Sequence, residues 1–206
     1  MLVNGKKRWI QAIAAVVLFA CPALAQDKAK DKPQGNSDNA APGMSAMSEA
    51  AKPGAPQAVL AKLAGDYTTA LKFFMQPGSA PAESSGSAKI SVVLGGRFLL
   101  EENSSTTFGH AVSGLRMYGY NNVTKEYEAV WTYTMSTAML KMAGTSSDGG
   151  KTIELSGTVD EPGMGHVPLH ARIRLVDDNQ FVVTLSSNGP DGKEVAFEET
   201  TYTRKK

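Results

Sequence analysis

From about residue 66 to residue 204 the chain alternates apolar and polar side chains in short runs, and this period of two constrains the fold most. Over 166–176, Val167, Leu169, Ala171, Ile173 and Leu175 fall on one face, with His166, His170, Arg172 and Arg174 on the other. Over 152–160, Ile153, Leu155 and Val159 oppose Thr152, Glu154, Ser156 and Thr158. Successive strand side chains point to opposite faces, so each run needs one covered face and one wet one. Strands are expected over 66–74, 85–94, 97–106, 110–120, 126–134, 138–145, 152–160, 166–176, 180–188 and 194–204. Turn signals divide them, among them Gly95-Gly96, Asn121-Asn122, Asp148-Gly149-Gly150 and Asp177-Asp178-Asn179. About ten short strands joined by hairpin-length turns read as an up-and-down antiparallel sheet. So long a sheet curls, and closure removes its exposed edges. The expected fold class is all-β, a closed antiparallel barrel of about ten strands with one short N-terminal helix.

Ahead of the barrel the periodicity differs. Pro56 to Gly65 reads as a single short helix: proline suits its first turn, Val59, Leu60 and Leu63 share a face, and Gly65 stops it. Its small apolar face suits the end of a barrel. Residues 26–56 contain few large apolar side chains and read as a disordered linker, because they cannot bury enough surface to offset their ordering entropy. Met44 and Met47 lie in it, and linker composition explains them better than a copper site does. The folded domain is expected over 57–206.

The first 25 residues carry an address. Lys6, Lys7 and Arg8 precede an apolar run from Trp9 to Ala20, and Ala23-Leu24-Ala25 closes it in the pattern of a cleaved signal peptide. The run falls short of the roughly 20 residues that cross a bilayer. Leu18-Phe19-Ala20-Cys21 loosely matches a lipobox, but bulky Phe19 and the Ala-x-Ala site favour a periplasmic or secreted protein over one anchored through Cys21. Cleavage after Ala25 removes the only cysteine and three basic residues, which takes the net charge from +1 to −2. No basic block or basic face appears, so nucleic acid lacks its electrostatic footprint.

The remaining chemistry is sparse. His166 and His170 would stand about 13 Å apart along a strand, too far to share one metal ion, and His110 is a weak axial ligand for haem at a strand start. Glu101-Glu102 and Glu198-Glu199 are strand neighbours that point to opposite faces, so neither is a catalytic pair. No Gly-x-Ser-x-Gly elbow, phosphate loop or dinucleotide fingerprint is present, so an enzymatic reading has no site to rest on. No cofactor or metal is called for.

One constellation stands out. If Asn121 faces Glu126 across a tight turn, Tyr120 opposes Tyr127, Tyr118 opposes Ala129, Arg116 opposes Trp131 and Gly114 opposes Tyr133, all on one face. The other face carries Leu115, Met117, Val130 and Thr132. With the first face inside, Arg116, Tyr118, Trp131 and Tyr133 line a cavity, and Arg116 meets a carboxylate from a ligand or from Glu101 or Glu102. With that face outside, Arg116 simply lies on Trp131 at the surface. Met135, Met139 and Met142 read as gap-filling core.

Leu63-Ala64-Gly65-Asp66-Tyr67, Gly86, Leu94-Gly95-Gly96-Arg97-Phe98, Gly119 through Tyr127, Trp131, Asn188 through Lys193 and Thr201-Tyr202-Thr203-Arg204 together resemble domain-of-unknown-function family 1579. That family is similar to the calycins, the closed barrels of lipocalins and fatty-acid-binding proteins, which hold ligands inside. The resemblance implies a barrel with an interior site and supplies no catalytic residue. It also implies a closing contact in which a first-strand Trp packs under a last-strand arginine. Here Tyr67 stands where the calycin pattern has Trp, and Arg204 fills the arginine's place.

Two functions are therefore expected: binding of a small, largely apolar ligand such as an acyl chain or similar acid, or a structural or protein-interaction module with a self-filled barrel. The address makes a prediction of its own. N-terminal sequencing of the exported protein should return Gln26 first, and a lipid-modified Cys21 would overturn the secretory reading.

Overall fold

A computed structural model describes residues 42–76, 79–161, 165–189 and 191–206. The expected signal peptide and the linker as far as residue 41 lie outside the described residues. Within the rest of the linker, Pro42–Ala50 forms a helix, α1. That corrects the reading of the whole stretch as disordered: Ala50 and Lys52 lend their carbonyls to Asn122, an anchor that composition does not reveal. The expected helix is α2, Ala55–Ala61, shorter than the periodicity suggested.

Ten strands follow: β1 Gly65–Phe73, β2 Ala82–Val93, β3 Phe98–Thr107, β4 His110–Asn121, β5 Glu126–Tyr133, β6 Leu140–Thr145, β7 Thr152–Glu161, β8 Gly165–Leu175, β9 Gln180–Asn188 and β10 Glu194–Arg204. Each pairs antiparallel with the next, and β1 pairs with β10, so the sheet is a closed up-and-down barrel. The central hairpin takes the register read from its turn, with Tyr120 opposite Tyr127, Arg116 opposite Trp131 and Gly114 opposite Tyr133. Where β6 meets β7 the backbones come very close: a Cβ on Gly144 would sit 1.9 Å from the Glu154 carbonyl oxygen.

Inward residues from all ten strands form one core, with Leu99, Ile153, Ile173 and Val183 almost wholly buried. Leu60 and Leu63 join that core from the helical side. Gln57, also buried, donates to the Tyr120 carbonyl at 3.1 Å and to Asn122 Oδ1 at 3.3 Å. Helix α2 thus covers the end of the barrel that holds the β2–β3, β4–β5, β6–β7 and β8–β9 turns. The opposite end is the mouth. Met142 packs in the core, whereas Met135 and Met139 are exposed in the β5–β6 loop, which corrects their reading as gap fillers.

Closure is anchored by a cation over a ring. Tyr67 and Arg204 are register partners, and the Arg204 guanidinium carbon stands 5.0 Å from the Tyr67 ring centre. Arg204 also donates to the carbonyls of Ala64 at 2.6 Å, Lys62 at 2.9 Å and Asp178 at 3.1 Å. These include the unpaired carbonyls just past α2, so one side chain ties helix, first strand and last strand together. Gly65 makes room: its φ is +152°, and a Cβ there would lie 2.1 Å from an Arg204 nitrogen. The Tyr67 hydroxyl donates to the Leu63 carbonyl at 2.9 Å, and its ring packs edge-on to Phe181 and Tyr202. Tyr67→Ala should lower the unfolding free energy by about 3 kcal/mol or more, the range for a truncated buried aromatic. Tyr67→Phe, which loses only the hydroxyl bond, should cost about 1 kcal/mol. Urea titration reads both, and equal midpoints for wild type and Tyr67→Ala would rule out this anchor.

Candidate functional site in the barrel interior

The pairing of β3 with β4 sets Glu101 opposite Arg116, and both point inward. Glu101 is fully buried, which for a carboxylate requires partners on every side. It has them. Tyr202 donates to Oε1 at 2.9 Å, Asn103 to Oε1 at 3.0 Å and Tyr118 to Oε2 at 3.1 Å. Arg116 Nη1 lies 3.5 Å from Oε1 and donates to the Tyr202 hydroxyl at 2.7 Å. Tyr202 therefore accepts from the cation and donates to the anion, joining β10 to β3 and β4 across the interior.

Charge and burial act together on these groups. Burial raises the Tyr118 and Tyr202 pKa values, and the Glu101 charge adds to the effect while Arg116 opposes it. Both phenols thus remain donors over the whole neutral range. Burial works against the Arg116 cation, but Tyr202, Glu101 and Tyr118 outweigh it and raise its pKa further. Glu198 adds to that pull. A β-bulge between Ala196 and Glu198 resets β10, and Glu198 then pairs with inward Phe73 and accepts from Thr200 at 3.0 Å.

Of the residues expected at the site, the structure brings three together. Arg116 lies over the Trp131 ring at 4.5 Å, and Tyr118 meets that ring edge-on at 6.4 Å. Tyr118 and Trp131 are buried, and the Trp131 Nε1 proton has no acceptor among the described residues. Tyr133 shares their row but ends β5 and is 37% exposed, so it stands at the rim. On the opposite side of the sheet Leu115 and Met117 are exposed, which settles the face question: the Arg–aromatic row is inward. Glu101 answers the need of Arg116 for a carboxylate. Tyr202 and Asn103 escaped the sequence reading. Tyr202 carried a usable signal, because it lies two residues from inward Arg204 and so shares its face.

His166 sits beside Asp160 on the outer surface, and His110 is exposed at the start of β4. Among the described residues no three His, Cys, Asp or Glu side chains gather as a metal site would need. No described helix is long and apolar enough to cross a membrane.

These features define a closed, ten-stranded antiparallel barrel, capped by a helix at one end, with a buried ion pair in its interior. The chain belongs to the family described as protein of unknown function DUF1579, whose profile matches residues 52–204. No curated protein matches it. Among solved structures it is similar to Rv2717c from M. tuberculosis, with a TM-score of 0.55 at 18% identity over 75% of this chain and 99% of that one. It also matches a redesigned beta barrel, with a TM-score of 0.38 at 14% identity over 73% and 96% of the two chains. The first likeness supports the fold alone.

The ion pair makes a stability prediction. Glu101→Ala leaves Arg116 without its counter-charge and strips two phenols of their acceptor, so it should cost about 3–5 kcal/mol. Glu101→Gln keeps an acceptor and should cost less. Chemical denaturation of the two variants checks the order, and a Glu101→Ala protein as stable as wild type would contradict it.

Proposed function

We propose that the barrel binds a small, largely apolar molecule with an acidic group, such as a fatty acid, and holds the acid at Arg116. One observation carries this reading. Within the ion pair the Glu101 side chain is 1% exposed and the Arg116 side chain 17%, so the anion is sealed while the cation stays within reach. A ligand acid that passes Glu198, nearer the mouth, and reaches the open side of Arg116 gains a charge-assisted bond there. Trp131 adds an aromatic wall and an unpaired N–H donor, and Tyr133 stands at the rim. An exported protein of this kind would carry its ligand outside the cytoplasm, in the compartment the N-terminal address implies.

Without the first 25 residues Trp131 is the sole tryptophan, so its emission reports on the site. Titration with medium- and long-chain fatty acids should give a saturable change. Arg116→Gln should weaken it by about ten- to a hundredfold, the range for a hydrogen bond to a charged group. Because that variant also strands Glu101, Tyr133→Ala at the rim is measured beside it and should weaken binding without loss of fold. A flat response to every acyl ligand from a natively folded protein would leave the self-filled interaction module as the reading.

A further inference from the structure

The two ends of the barrel differ in charge. At the helical end every hairpin carries at least one charged residue: Arg97 after the β2–β3 turn, Lys125 between β4 and β5, Asp148 and Lys151 between β6 and β7, and Asp177 and Asp178 between β8 and β9. At the mouth, the β1–β2 loop (74–81), the β3–β4 turn (108–109) and the β5–β6 loop (134–139) carry none. In their place they display large apolar side chains. Met75 is 69% exposed, Phe108 57%, Met135 60% and Met139 62%. The loops are neighbours, for β2 pairs with β3 and β4 with β5, and the Phe73 and Phe108 rings meet at 5.2 Å. The other two connections at this end do hold charges, but they pair: Asp191 and Lys193 lie 3.3 Å apart before β10, and Asp160 sits beside His166 where β7 passes to β8.

Isolated exposed apolar residues need no explanation, but four around one opening, on loops without charge, mark a contact surface. We propose that the mouth docks on an electrically neutral lipid surface, with Met75, Phe108, Met135 and Met139 entering the boundary between headgroups and acyl chains. Their geometry favours lipid over protein. They sit on separate loop tips, where each can enter a soft surface independently, whereas a protein interface joins a continuous apolar centre to a polar and charged rim. Methionine adapts to irregular apolar surroundings, and binding of this kind grows with the apolar area buried. The one lysine of the mouth loops, Lys193, is paired with Asp191, so anionic headgroups find no basic cluster there and a neutral lipid is the class that fits. Docking itself needs no ligand. Its purpose rests on the interior site proposed above, since a mouth pressed to lipid could exchange an acyl acid without passing it through water.

Flotation with phosphatidylcholine vesicles, in the absence of any fatty acid, tests the docking apart from ligand binding. The full chain and a version beginning at residue 42 are both used, because the apolar run from Trp9 to Ala20 also favours lipid. The closed sheet holds its whole core within residues 57–204, so the shorter chain keeps the fold. The shorter protein should bind the vesicles equally at low and high salt. Phe108→Ser combined with Met139→Ser should lower its partition by about tenfold or more. Leu94→Ser combined with Val123→Ser, at exposed apolar positions of the helical end, should leave it unchanged. No binding by the shorter chain would overturn the proposal. So would binding that needs anionic lipid and fades with salt, or loss of binding in the Leu94/Val123 pair but not in the mouth pair. Vesicle binding together with a flat fatty-acid titration would uphold the docking and remove the interior site.

Discussion

Closing the sheet is the condition on which the rest of this structure depends. An open ten-stranded sheet would expose two rows of unpaired backbone groups, and only a meeting of the first and last strands removes them. Here β1 and β10 pair, and the Arg204 guanidinium over Tyr67 fastens the seam. The same arginine satisfies carbonyls just beyond α2 and in the β8–β9 turn, so the seam, the capping helix and a distant hairpin share one anchor. Tyrosine serves at this seam because its ring offers a face to the cation. Its hydroxyl adds a bond to Leu63 that an indole N–H in another position would not reproduce.

Closure is also what makes the interior chemistry. Glu101, Arg116 and Tyr202 come from three strands, and only a curved wall brings them within hydrogen-bonding distance. A buried ion pair is a poor source of net stability, because desolvation offsets most of the Coulomb gain. This one is held by two phenols and an amide that saturate the acid and leave the arginine partly open.

The two ends of the barrel differ, for helix α2 lies against only one of them. Helix α2 spends its apolar face on the core and its Gln57 on the β4–β5 turn, so that end is satisfied within the chain. Both ends leave apolar side chains in water: Leu94 and Val123 at the helical end, and Met75, Phe108, Met135 and Met139 at the mouth.

What the sequence determined by itself is local. Strand positions followed from the period of two and the turn residues, and the β4–β5 register followed from the Asn121–Lys125 turn, because a tight turn sets which residues face each other. Family membership was likewise readable from glycines and turns in order along the chain. Which face of the central hairpin points inward was not, since Leu115, Met117 and Val130 make its outer side apolar too and the alternation loses its contrast. Helix α1 lies in a stretch whose composition favours disorder, and its anchor, Asn122, is 70 residues or more away. Met135 and Met139 looked like core because methionine is apolar, yet they fall in a loop beyond the wall. The partner of Arg116 stood open among a ligand acid, Glu101 and Glu102 until the β3–β4 register set Glu101 opposite it, and Tyr202, 101 residues from Glu101, met it only when the last strand returned to the first. Short-range pattern chose the strands, and long-range closure chose their inside.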